Sequence, residues 1–347
     1  MKEVPNMAFD NIRLEKGMYR ESGKSFSQVL ESLDPSEAYK GTALEGTDAF
    51  QRQLKRFGIR AKGIGSDTVE KFFSTFESAV LFPEFIARVV RQGMEENNIL
   101  PSIVATVTDI DAMDYRSIYS VPTDDEKSLM EVGEGAAIPA TTIRSKENLI
   151  SLHKRGRMLV ASYEALRFQK LDMFSVMLRQ IGSHIQKLQL ADAVNVIING
   201  DGNGNGCTSF SVGASPISGT AGTLGYDQLV EFWAQFHPYE MNTMLVNTST
   251  MVRLLQLDEL QNPLTGLNFQ GTGKFATPLG AELLRAEEVG DDAVLAFDRR
   301  YTLEMVRAGD VCVEYDKLID RQLERAAITS ICGFGKICTD AANMLEI

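Results

Sequence analysis

The chain has 347 residues with 35 Lys and Arg against 47 Asp and Glu, a formal net charge of -12, and 44% hydrophobic content. This is the composition of a folded chain rather than a disordered one, and its acidity excludes broad coating of nucleic acid, which is driven by clustered Lys and Arg. The four cysteines (207, 312, 332 and 338) form no CxxC pair and have no companion histidines, which argues for reduced, buried thiols rather than a zinc site or disulfide framework. The first residues show no apolar run after their charges, and nowhere do 18 apolar residues follow one another, so neither secretion nor membrane spanning is expected.

Met1 to Gly65 is polar and punctuated by glycines, and reads as an arm rather than a core. Its concentrated feature is Arg52, Lys55, Arg56, Arg60 and Lys62, either a solvated helix face or an arm docking on an acidic neighbour. Asp67 with Glu70 opens a short helix in the manner of a capping box, with Val69, Phe72, Phe73 and Phe76 apolar. A second helix places Pro83 in its first turn and buries Phe85, Ile86, Val89, Val90 and Met94.

From Ile103 to Ala161 the period changes to two: Ile103, Ala105 and Val107, then Leu149, Leu152, Met158 and Val160. With a polar tip at VPTDDEKSLMEVGEGAAIPA, this reads as a long two-stranded excursion. An isolated ribbon is marginal in water, so it should rest on something else, such as another subunit. Its charges are segregated. Asp124, Asp125, Glu131 and Glu134 lie on the outgoing side, and Arg144, Lys154, Arg155 and Arg157 on the returning side. These eight are the candidate intersubunit contacts, able to set register between like subunits. Pairing within one ribbon is the alternative.

Ser162 can cap a short helix, YEALRF. Leu171 to Asn199 is then a long helix of roughly 43 Å at 1.5 Å per residue. Phe174, Leu178, Ile181, Ile185 and Leu188 share one face and Arg179, Gln180, Ser183, Gln186 and Lys187 the other; Gly182 is the single interruption and Gly200 the stop. After a small-residue loop, Thr208 to Gly225, come a helix from Tyr226 to His237, a strand at Met244 to Val246, and a helix capped by Thr248 or Ser249, together a compact α/β lobe. Gln261 to Lys274 is a loop. The remainder is mostly strand: Val294 to Phe297, Tyr301 to Val306, Val311 to Tyr315 and Ile328 to Cys338, with GFGK marking a bend.

The run GDGNGNG fails as a dinucleotide loop, since it follows a helix and lacks the GxGxxG order, and it lacks a P-loop ending. As a calcium loop it matches at Asp201, Asn203, Asn205 and Gly206 but has Val212 where the bidentate glutamate is needed. A helix-terminating turn is the reading kept. His153, His184 and His237 accompany no GxSxG or HExxH motif, and no carboxylate pair stands out. No catalytic, cofactor-binding or metal-ligating residue is assigned, and no enzyme or cofactor is expected.

The order of these parts carries a resemblance: the serine-capped VASYEALRF, the long helix ending in ADAVNVIINGDGNGNG, a mixed lobe, LGAELLRAEEVGDDAVLAFDRRYTLEM and RAAITSICGFGKICTDAA. Together they resemble the tailed-phage major capsid proteins of the Hong Kong 97-type capsid fold, over roughly Ser66 to Ile347. The resemblance implies an α+β chain divided into an N-terminal arm (1–65), first peripheral-domain helices (66–103), an extended β-ribbon loop (104–161), a long spine helix (162–200), an axial domain (201–283), and peripheral-domain strands and C-terminus (284–347). It further implies a major capsid (head) protein that self-assembles as hexamers and pentamers into an icosahedral shell enclosing double-stranded DNA without sequence-specific binding. Scaffolding and portal proteins are the implied partners, no membrane is involved, and the location is the virion capsid, assembled in the host cytoplasm. Crosslinking of Lys127 to Asn343 of a neighbour is a further implied possibility. The rival readings are an encapsulin-type nanocompartment shell and a soluble phosphate-binding enzyme using the glycine run.

Overall fold

Residues 8–20, 24–96, 98–112, 114–119, 131, 134, 144–145, 148–261, 279–309 and 311–347 are described in the computed structural model of the chain. Asp124, Asp125, Lys127, most of the ribbon tip and the loop 262–274 lie outside them. The chain divides into two units of discontinuous sequence: residues 1–97, 155–186 and 311–330, and residues 98–154, 187–310 and 331–347. The strands are β1 (Thr106–Asp109), β2 (Ile118–Tyr119), β3 (Arg144–Ser145), β4 (His153–Ser162), β5 (Thr208–Ser211), β6 (Thr243–Val246), β7 (Glu282–Arg285), β8 (Ala293–Phe297), β9 (Leu303–Arg307), β10 (Cys312–Leu318), β11 (Leu323–Lys336) and β12 (Ala342–Glu346).

The first unit is built on three capped helices: α1 (Phe26–Leu33), α2 (Ala49–Arg56) and α3 (Phe76–Glu95). Ser25 with Gln28, Asp48 with Gln51, and Thr75 with Ser78 form reciprocal capping boxes, which satisfy amides that a helix start leaves open. This corrects the arm reading of residues 1–65. Leu14, Phe26, Leu30, Ala49, Phe50 and Ile59 are buried in one core with Phe72, Leu81, Phe85, Leu171, Leu178 and Ile328. Arg52 is no solvated cation either. Its guanidinium is fully buried, with Nε 2.5 Å from Asp34 Oδ2 and further donation to the Asp34 and Thr47 carbonyls, while its face covers the Tyr39 ring.

Two helix-start expectations are also corrected. Asp67 caps nothing; its carboxylate accepts from the Arg60 amide, and the short 3-10 turn Val69–Phe73 follows Thr68. Pro83 lies inside α3 instead of in its first turn, because the Thr75 cap fixes the start. An interior proline removes one i→i−4 bond and kinks the helix. The Tyr19 hydroxyl occupies that turn, donating to the Val80 carbonyl (2.8 Å) and accepting from the Glu84 amide (3.0 Å).

The long helix runs Leu171–Asn199 as read from the sequence, preceded by Tyr163–Phe168 under its Ser162 cap. Its early residues Leu171, Leu178, Ile181 and Ile185 belong to the first core. There α3 crosses it at a glycine pair. A Cβ on Gly182 would stand 2.1 Å from the Val90 carbonyl oxygen, and one on Gly93 2.2 Å from that of Arg179. Only hydrogen at both positions permits this approach. The unit is completed by β10 antiparallel to β11, Cys312↔Thr329 through Leu318↔Leu323, with β4 also paired to β11.

In the second unit β1 pairs in parallel with β9, Thr106↔Glu304 through Asp109↔Arg307, and β9 pairs antiparallel with the later residues of β11. The start of the segment is therefore anchored on β9, and Ile103 closes a short helical turn, Leu100–Ile103. Within the ribbon itself, the described pairing is Ile118↔Ser145 and Tyr119↔Arg144. A second sheet has the order β5-β12-β8-β6-β7, with β6 and β8 wholly buried. Helices Tyr226–Trp233 and Thr248–Leu255 accompany it, the latter capped by Asn247 and not by Thr248 or Ser249. Leu190, Val194, Ile197, Leu295 and Phe334 share one core, and Phe232, Phe236, Met244, Val246 and Leu345 another.

Candidate assembly surface

The residues that follow β1 are fixed to β9 through one buried carboxylate. Glu304, buried on β9, accepts hydrogen bonds from Thr108 Oγ1 (2.6 Å), Tyr115 Oη (2.8 Å) and Ser117 Oγ. A carboxylate offers about four lone-pair sites, so three hydroxyls fit without leaving the buried acid unsatisfied. Burial and the neighbouring Glu304 raise the Tyr115 pKa, which keeps that hydroxyl a donor. The returning limb is tied by the Ile150 amide to the Tyr115 carbonyl (2.9 Å). It then passes so close to Gly333 that a Cβ there would be 2.5 Å from the Ser151 oxygen.

Of the eight charged candidates, Asp124 and Asp125 lie outside the described residues. Glu131 and Glu134 are exposed, and Arg144 sits in β3 opposite Tyr119. Lys154, Arg155 and Arg157 come together on β4, Lys154 and Arg157 exposed and Arg155 half-buried. On the same strand His153 Nδ1 lies 3.2 Å from Asp192 Oδ2.

The long helix carries a surface that reading a single stripe missed. Met173, Val176 and Met177, at i, i+3 and i+4, are 62%, 49% and 55% exposed, and Phe168 just before them is 77% exposed. Leu188, expected in the buried stripe, is exposed, whereas Gln186 and Gln189 are buried. The signal lay in the MFSVM segment, whose apolar residues surround the helix where one face would suffice for a core. An adjacent strand adds Met158 and Val160 on β4, both 54% exposed.

The glycine run closes the long helix. Gly200 takes φ +84°, and the buried Lys336 ammonium donates to the Ile197 carbonyl (3.1 Å), where a cation complements the helix C-terminus. Asp201 accepts from the Lys336 amide (2.9 Å) and from Asn203 Nδ2 (2.9 Å), and Asn205 Oδ1 accepts from the Asp201 amide (3.1 Å). The would-be calcium ligands are thus taken up by hydrogen bonds to the turn, to β11 and to Asn148. Among the described residues no group of three or more His, Cys, Asp or Glu side chains is placed to hold a metal ion. Cys332 and Cys338 are buried as expected, but Cys207 is half-buried and Cys312 exposed. Burial pushes the Cys207 and Cys338 thiols up. Asn343 is buried on β12 with its amide toward the Gln235 carbonyl.

No family model matches the chain, and no curated protein matches it. Solved structures do. The chain is similar to the capsid of a native GTA particle at 17% identity and a TM-score of 0.51, over 72% of this chain and 89% of that one. It matches the capsid of an empty GTA particle at 16% and 0.52 over the same shares. A virus-like particle from Pyrococcus furiosus aligns at 11% and 0.50, over 76% of this chain and 99% of that one. The chain has a capsid-shell fold. It is a mixed α+β fold.

Proposed function

We propose that the chain is a major capsid protein of the tailed-phage type, assembling as hexamers and pentamers into an icosahedral shell around double-stranded DNA. The observation that carries this reading is the capsid-shell fold, which aligns with nearly the full length of subunits taken from closed particles. The exposed apolar residues of the long helix support it, because a chain with 44% hydrophobic residues and three buried cores has no folding reason to leave Met173, Val176 and Met177 in water. Burying the exposed half of each such side chain against a neighbour contributes roughly 1 kcal/mol.

In this reading residues 104–161 are the extended loop, 201–283 the axial domain, and 66–103 with 284–347 the peripheral domain. Asp124, Asp125, Glu131 and Glu134 meet basic groups of a neighbour, and Arg144, Lys154, Arg155 and Arg157 meet acidic ones. The role is structural, the location is the virion, and scaffolding and portal proteins assist assembly in the host cytoplasm. A nanocompartment shell is the second reading, supported by the match to the virus-like particle. The contents of purified particles, genomic DNA or protein cargo, decide between them.

The test is Met173→Ser with Met177→Ser. Both side chains are largely exposed, so the subunit should fold while the assembled fraction falls. Wild-type assembly by the double variant would remove the long helix from the interface.

A further inference from the structure

The basic run of residues 52–62 is only partly used within the subunit. Arg52 is held by Asp34, and Arg56 donates to the Ile12 carbonyl (2.6 Å) and pairs with Glu77 (3.2 Å). Arg60 and Lys62 are exposed, and backbone contacts fix where they stand. The Asp67 amide donates to the Arg60 carbonyl (2.9 Å), the Ser66 amide to Gly63 (2.9 Å), and the Leu171 amide to Asp67 (2.9 Å). Thr68 forms an antiparallel bridge with Lys170, and the Val69 amide donates to the Gln169 carbonyl (3.0 Å). One small backbone cluster in the first unit therefore displays four exposed cations, Arg60, Lys62, Lys71 and Lys170. They accompany two of the most exposed apolar side chains of the described residues, Ile64 at 101% and Phe168 at 77%. The acids of the cluster are Asp67, whose carboxylate accepts from the Arg60 amide, and the exposed Glu70.

We propose that this patch receives the acidic stretch 124–134 of a second copy of the chain. The inference rests on the shell reading above. A phosphate backbone would satisfy the cations but leave Ile64 and Phe168 in water. The stretch DDEKSLMEVGE matches both features, with five acids against one lysine and with Leu129, Met130 and Val132 among them. The pairing also accounts for a cationic, apolar surface on a chain whose net charge is -12. It assigns the outgoing acidic side of the ribbon to residues 60–71 and 168–170 of a neighbour, a surface the returning side does not share.

The experiment uses the full chain with Lys62→Glu and Lys170→Glu together, the reciprocal Asp124→Lys with Asp125→Lys, and the combined charge swap. Circular dichroism confirms folding of each, and sedimentation measures the particle fraction. Each reversed set should lower assembly about tenfold or more, since like charges brought together at an interface cost several kcal/mol. The combined swap should recover it. In particles mixed from isotopically light and heavy subunits, zero-length carboxyl–amine crosslinks should join Lys62 or Lys170 to 124–134 between chains. Wild-type particle yields from the Lys62 and Lys170 variant, or failure of the folded swap to recover, would overturn this contact alone. Loss of binding to a double-stranded DNA fragment with unchanged assembly would reassign the patch to nucleic acid. A wild-type chain that forms no particle would remove the shell reading and this contact with it.

Discussion

Replacing Gly182 by Ala sets two effects of known sign against each other. Helix propensity favours alanine by about 1 kcal/mol, so at an open helix position the substitution stabilises. At this crossing the added methyl would stand 2.1 Å from the Val90 carbonyl oxygen and 2.9 Å from the Met94 amide nitrogen. The first distance is about 1.3 Å short of ordinary contact. Both neighbours are backbone atoms of α3, so no side-chain rotation relieves the clash and the helices must separate. That separation loosens Leu81, Phe85, Val90, Leu178 and Ile181, which pack at 8% exposure or less in the same core. Overpacking of this kind costs typically 1–3 kcal/mol and occasionally more. With displaced backbone and a disturbed core, the clash should exceed the propensity gain by about 2 kcal/mol, lowering Tm by roughly 4–8 °C. Urea unfolding of the chain at low concentration, with Gln180→Ala on the exposed face as control, measures it. A Gly182→Ala subunit as stable as wild type, or more stable by the propensity gain, would refute the close crossing.

Two further outcomes follow from buried charges. Arg52→Ala leaves Asp34 buried without its guanidinium partner and should cost about 3–5 kcal/mol, readable as loss of the folded N-terminal segment to limited proteolysis. Burial pushes the Asp298 carboxyl up, but hydrogen bonds from Arg300, the Glu240 amide and Asn242 outweigh it and hold the pKa below its ordinary value. A depressed folded pKa gives stability that is fully present above the unfolded value near 4 and is lost as pH falls through the folded value. Asp298→Asn should therefore destabilise at pH 7 by more than at pH 3 in urea titrations; an equal loss at both would contradict the account.

How much of this was legible in the sequence depended on how local each cause was. The long helix, its Ser162-capped predecessor and its Gly200 stop were readable because period, cap and terminator lie within a few residues. The β1–β9 pairing was not, since Thr108 and Glu304 are 196 residues apart and nothing in either short segment names the other. Residues 8–65 were read as an arm because glycines mask the spacing of Leu14, Phe26, Leu30 and Phe50, which find their core on α3 and the long helix. The segregated ribbon charges were visible as a pattern, whereas Met173, Val176 and Met177 showed only as surplus apolar residues in MFSVM. Periodicity reports that a residue is apolar, and only the folded chain shows which apolar residues its own core leaves uncovered.

Sedimentation velocity on the purified chain, alone and with any scaffolding protein encoded beside it, tests the proposed shell reading most directly. The account predicts closed particles or discrete five- and sixfold rings. A stable monomer or dimer under both conditions would contradict it.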